Sequence, residues 1–197
     1  FQDTWDLLKN PAARYSLIGT GSFWMATIVL RLILFSWIPV VLGIHDGAFI
    51  GIIVGVTGIG ICVGAVMTPY LISLEKYRRT LFYGFGMAGG IFAMLGAVTL
   101  LQTVVILLIV GFLGGVYIVP MNACLQQTGS VTIGAGKTIA IQNLVENSFM
   151  FFGMTVYMEA SRQNISIHNS IKGTGIVFLI ILGIMAAVTV RRRMTSS

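Results

Sequence analysis

The chain has 197 residues, of which 56% are hydrophobic and 9% charged, with a mean hydropathy of +0.94 and a net charge of +6. An ordinary soluble domain carries roughly 25% charged residues, so the excess apolar side chains here must face lipid rather than water. The positive balance does not point to nucleic acid: Lys and Arg sit in short breaks between apolar runs, and no basic stripe is interleaved with stacking aromatics.

Residues 1–13 mix Trp5, Leu7 and Leu8 with Asp3, Asp6 and Lys9 and lead into Asn10-Pro11, the pattern of a short interfacial helix or linker. The opening, FQDTWDLLKN, has neither an initiator Met nor a signal peptide and reads as part of something longer. Six apolar runs follow, at about 15–42, 49–72, 81–101, 104–126, 138–160 and 174–190. Each reaches or approaches the ~20 residues that cross ~30 Å of hydrocarbon. Only Gln102 and Thr103 separate the third run from the fourth. One helix over both would be about 70 Å long at 1.5 Å per residue, so the chain must turn there. Residues 14–197 are therefore expected to form an all-α integral membrane bundle of six spans.

Basic residues fix the expected orientation. Lys9, Arg14, Lys76, Arg78, Arg79, Lys137, Arg191, Arg192 and Arg193 fall on one side, and only Arg162 and Lys172 on the other. Both termini are then cytoplasmic.

Several motif matches fail on context. Gly84-Phe85-Gly86-Met87-Ala88-Gly89 fits the dinucleotide fingerprint, but no strand leads into it and it lies inside an apolar run. Close helix packing accounts for it, as for the small-residue pairs Gly51/Gly55, Gly60/Gly64 and Gly111/Gly115. Gly134-Ala135-Gly136-Lys137-Thr138 resembles the end of a phosphate loop, but Val131 stands where its first glycine belongs. His45, Asp46 and His168 lack ligand-spaced partners, and Cys62 and Cys124 lie inside apolar runs as packing residues. No cofactor is expected, and no catalytic constellation is recognisable.

Polar groups inside spans carry the information. Arg31 lies midway along the first run, where even a lenient insertion scale assigns a central Arg about 2.5–3.5 kcal/mol. It reads either as an anion anchor facing a polar cavity or as half of a structural pair with a carboxylate. In the fifth run Gln142, Asn143, Glu146 and Asn147 fall within an arc of roughly 140° at 100° per residue. Lipid cannot cover that face: it lines a cavity or hydrogen-bonds across helices. Glu146 is a candidate proton or cation site, or the partner of Arg31. The depths of the two residues differ by roughly 12 Å at 1.5 Å per residue, which favours separate sites over a salt bridge. Pro120 frees a backbone carbonyl one turn earlier and Asn122 adds an amide, so the fourth run has a kink that lines a pathway or serves packing. Trp37-Ile38-Pro39 ends or bends the first span.

Three stretches carry a family resemblance. They are Leu30-Arg31-Leu32-Ile33-Leu34-Phe35-Ser36-Trp37-Ile38-Pro39-Val40-Val41-Leu42-Gly43-Ile44, Val119-Pro120-Met121-Asn122-Ala123-Cys124-Leu125-Gln126, and residues 134–147, which end Gln142-Asn143-Leu144-Val145-Glu146-Asn147. In order and spacing they resemble the carboxy-terminal half of the bacterial lysophospholipid transporters of the major facilitator superfamily. The resemblance implies a twelve-span carrier of which this chain is the second bundle. It further implies inward movement of lysophospholipids such as lysophosphatidylethanolamine across the inner membrane, and re-acylation by a cytoplasmic acyltransferase, sometimes fused. Arg31 falls on the family's intramembrane arginine, and Gln142, Asn143 and Glu146 on its polar fifth-span motif. Asn122 and Asn147 complete the expected substrate-binding set. The superfamily's basic loop survives only as Glu75-Lys76-Tyr77-Arg78-Arg79, with Glu for Asp and without its glycine. The expected partners are the substrate, membrane lipid, the amino-terminal half and the acyltransferase. Two other readings stay open: a proton-coupled exporter of drugs or organic anions, and the membrane scaffold of a fused acyltransferase.

Overall fold

A computed structural model of the chain describes residues 2–72 and 78–194, with side chains described over 3–72 and 78–189. The described residues form seven α-helices: α1 (Gln2–Lys9), α2 (Pro11–Leu42), α3 (Gly47–Leu71), α4 (Thr80–Ala93), α5 (Leu100–Thr132), α6 (Ala135–Arg162) and α7 (Ile167–Met194). Four are long and apolar enough to cross a membrane: α2, α3, α5, and α7 as far as Thr189. The apolar helix Thr80–Gly96 is shorter. The polar face of α6 sets it apart, although at 28 residues it has the length.

Local chemistry marks the helix ends. Asn10 caps α2 by accepting from the Ala12 and Ala13 amides, with Pro11 at the first helical position, where its missing N–H is not needed. Asp46 caps α3 through the Ala48 amide. Gly43 stops α2 in the left-handed region at φ 66°, which glycine adopts without penalty. Pro39 is carried within α2, which runs on to Leu42, so the first span does not end at Trp37-Ile38-Pro39.

Two boundaries differ from the sequence reading. The break between the third and fourth runs lies before Gln102, not at it. A 3₁₀ turn over Met94–Gly96 closes α4, and Thr99 and Gln102 then form a capping box that starts α5. The polar side chain that interrupts the two apolar runs is thus a helix-start signal. α7 begins at Ile167, so Asn169 and Lys172 lie on its first turns and not in a loop. The Glu75, Lys76 and Tyr77 part of the basic loop lies outside the described residues.

α2 and α5 form the centre of the bundle: α2 packs on α5, α6 and α7, and α5 on α3, α4 and α6. α3 and α5 touch backbone to backbone. A Cβ on Gly60 would strike the Leu108 carbonyl, and one on Gly111 the Thr57 carbonyl. Gly64 and Gly115 meet Phe112 and Ile61 in the same way, so both glycine pairs serve close packing as expected. Gly51 and Gly55 do not: nothing lies within 4 Å of a Cβ at either. The glycines of the false dinucleotide fingerprint sit within α4, Gly84 against the Tyr117 ring and Leu182, and Gly89 against nothing. Tyr117 is fully buried, edge-on to Phe178 at 6.2 Å, and its hydroxyl donates to the Gly19 carbonyl of α2 at 3.3 Å. At the end that holds the α5–α6 turn, α1 inserts Leu7 against Leu17, Leu125 and Ile141. Asp3 pairs there with Lys137 at 3.0 Å.

Candidate functional site

The helical repeat places Asn122 and Gln126 one turn apart on α5, and Gln142 and Glu146 one turn apart on α6. The two pairs face each other. Gln126 Nε2 donates to Gln142 Oε1 at 2.7 Å. Gln142 Nε2 donates to Asn122 Oδ1 at 2.9 Å and to Glu146 Oε1 at 2.8 Å. Gln142 therefore uses both of its N–H bonds and its carbonyl, with its donor end directed at the carboxylate, which when ionised can only accept. Gln142 and Glu146 are each 8% exposed, deep enough that an unmade bond would cost about 1–3 kcal/mol. No cation lies within ion-pairing distance of Glu146 among the described residues.

Burial divides the polar arc of α6. Gln142 and Glu146 turn inward, and Gln142 joins α6 to α5, while Asn143 and Asn147, one turn apart, are exposed. Pro120 is buried within α5, two residues before Asn122, and the helix continues through it to Thr132. By lacking an N–H it leaves the Val116 carbonyl without its usual helical donor.

Arg31 stands apart from this network. On α2 it belongs to the stripe Trp24, Ile28, Arg31, Phe35, a partly exposed face of the helix. Its Nε is fully buried and has no hydrogen-bond partner. It forms no ion pair among the described residues. It lines a small cavity with residues of α2, α3, α4 and α5, including Thr27, Thr57, Met87 and Gly111. No ion pair joins Arg31 to Glu146 among the described residues.

Gln126 and the threonines at 27 and 57 were missed as site residues. Gln126 had a legible signal, because Asn122/Gln126 and Gln142/Glu146 repeat the same one-turn spacing. Thr27 and Thr57 had none, since a helical threonine ordinarily bonds its own backbone.

A groove of about 220 Å³ runs between α2, α6 and α7, walled by Met25, Val29, Phe152 and Val177 with Asn169 and Thr174 at its rim. Its apolar walls and the exposed Phe151, Phe152, Ile180 and Ile184 are suited to acyl chains rather than water.

No family model and no solved structure matches the chain. It is similar to the lysophospholipid transporter LplT of Salmonella paratyphi B, 42% identical over 153 residues, and to the proteins of that name from Salmonella newport and Salmonella agona at the same identity. The match covers 77% of this chain and 38% of each of those proteins, so the chain spans well under two thirds of the relatives it matches.

Proposed function

We propose that this chain is the carboxy-terminal six-span half of a major facilitator superfamily carrier, which moves lysophospholipids such as lysophosphatidylethanolamine inward across the bacterial inner membrane. The six spans are α2, α3, α4 with its 3₁₀ turn, α5, α6 and α7, and both termini are cytoplasmic. An acyltransferase on the cytoplasmic side, fused or separate, replaces the missing acyl chain. One observation carries the reading. Arg31 is a cation within a span, with no carboxylate partner among the described residues, in a chain 42% identical to proteins named as lysophospholipid transporters.

A lysophospholipid offers what such a cation requires: a phosphate for the guanidinium fork and one acyl tail that tolerates an apolar wall. Exposed Asn143 and Asn147 supply neutral polar contacts on α6, and Asn122 and Gln142 hold that helix in register with α5. Glu146 is the coupling site. Protonation leaves it a carbonyl oxygen that still accepts from Gln142, so the α5–α6 contact survives both charge states. The chain alone has one wall of the pathway, and transport needs the amino-terminal bundle opposite it.

Reconstitution tests this. Proteoliposomes holding the complete carrier should take up labelled lysophosphatidylethanolamine, and those holding only residues 1–197 should not. Uptake by the chain alone at the rate of the whole would refute the half-carrier reading. Proton-driven extrusion of an organic anion without lysophospholipid uptake would favour the exporter reading, in which Glu146 carries the proton.

A further inference from the structure

Buried hydroxyls on these helices follow a habit. Thr20 and Ser22 donate to carbonyls three residues back, and Thr68 and Thr189 to carbonyls four residues back. Ser16 departs from it, and so do Thr27 and Thr57. The two threonines are each only 4% exposed, and neither Oγ1 has a hydrogen-bond partner. Both line the cavity that Arg31 lines, and Arg31 Nε is likewise buried and unpartnered. Three residues on α2 and α3, each with a buried and unpartnered polar atom, thus line one cavity. Thr57 is held there because its carbonyl lies against Gly111 of α5, where a Cβ could not fit.

The cavity measures about 10 Å³, about the space one water requires, and is too small for a phosphate group. A metal cation is disfavoured by the guanidinium. The chemistry on offer is one obligatory donor, Arg31 Nε–H, and two hydroxyls that donate or accept. Water matches it, accepting from Nε and exchanging bonds with both threonines, the usual three partners of a buried water.

We propose that this cavity is a structural water site and that Thr27 and Thr57, through that water, fix the Nε edge of Arg31 so that its terminal N–H groups present a set fork to the substrate phosphate. The positioning role rests on the lysophospholipid reading above; the water site itself does not. Thr27 and Thr57 are positioning residues. They act on how well Arg31 is aimed rather than on contact with lipid, and fixing that aim reduces what Arg31 loses in rotamer freedom on binding.

The experiment uses the complete carrier in detergent, with oleoyl lysophosphatidylethanolamine as probe. Thr57→Val keeps shape and removes the hydroxyl. It should weaken binding about 3- to 10-fold, as loss of one buried hydrogen bond predicts. Thr57→Ser should restore affinity, and in an Arg31→Ala background Thr57→Val should change nothing further. An equal loss in that background, or failure of Thr57→Ser to restore, would overturn the positioning role. Density at better than about 2 Å should show one sphere within hydrogen-bond distance, 2.7–3.2 Å, of all three atoms. An empty cavity with both threonines bonded to their own helices would overturn the water site. Wild-type affinity in Arg31→Ala would instead remove the functional reading and the positioning role with it, leaving the density to decide the water alone.

Discussion

Gln142 donates to Glu146 across one turn of α6 at 2.8 Å, so the acidic residue of that helix interior is held by a neutral amide, with no cation partner among the described residues. A carboxylate so held can gain or lose a proton without breaking a salt bridge. The roles proposed for Glu146 and Arg31 are therefore separately testable.

Glu146→Gln keeps an oxygen for Gln142 and removes the charge. Its thermal unfolding midpoint should stay near wild type and lysophospholipid binding should persist, while uptake against a gradient fails. Loss of binding equal to that of Arg31→Ala would place Glu146 in direct substrate contact. Counterflow and uphill uptake in the same proteoliposomes distinguish these outcomes.

Gln142→Leu strands the Asn122 acceptor, the Gln126 donor and Glu146 together. The expected destabilisation is about 1–3 kcal/mol, the range for a buried polar group left unsatisfied. Bonds between helices within lipid are often weaker than that. Asn143→Leu, on the exposed face, should leave stability within ~0.5 kcal/mol. Denaturant titration in detergent compares the two directly.

Gly111→Ala places a methyl group where the Thr57 carbonyl lies and should separate α3 from α5, at about 1–3 kcal/mol. Gly55→Ala meets open space and should cost nothing measurable or gain slightly from helix propensity. Equal effects from both glycines would contradict the α3–α5 contact.

Cysteines at Arg79 and Lys137, introduced after replacing Cys62 and Cys124, should react only with reagent added from the cytoplasm, and one at Asn169 only from outside. All three residues are exposed, whereas Thr80, beside Arg79, is buried and would label poorly. Outside labelling at Lys137 would break the six-span assignment.

The helical class was legible because lipid removes most of the alternatives: long apolar runs with basic breaks have few other solutions. The α3–α5 glycine pairs were legible for a related reason, since small residues spaced by four mark close approach. Gly51 and Gly55 show the limit of that signal, because identical spacing on the same helix faces no neighbour. Gln102 was misplaced because a polar side chain at a break serves equally as a loop residue or as the third residue of a capping box. The division of the α6 arc was not legible at all. Periodicity locates Gln142, Asn143, Glu146 and Asn147 on one side, but which half α5 covers depends on how the two helices are rotated against each other. The orphaned hydroxyls of Thr27 and Thr57 are likewise a property of packing and not of local sequence.

The central claim is that Arg31 anchors the substrate phosphate, and equilibrium binding of lysophosphatidylethanolamine to purified complete carrier tests it most directly. A charge-assisted bond contributes about 1.5–3 kcal/mol, so Arg31→Ala should bind ~10- to 100-fold more weakly while keeping its unfolding midpoint. Arg31→Lys, which keeps the charge and loses the fork, should fall between. Wild-type affinity in Arg31→Ala would contradict the claim.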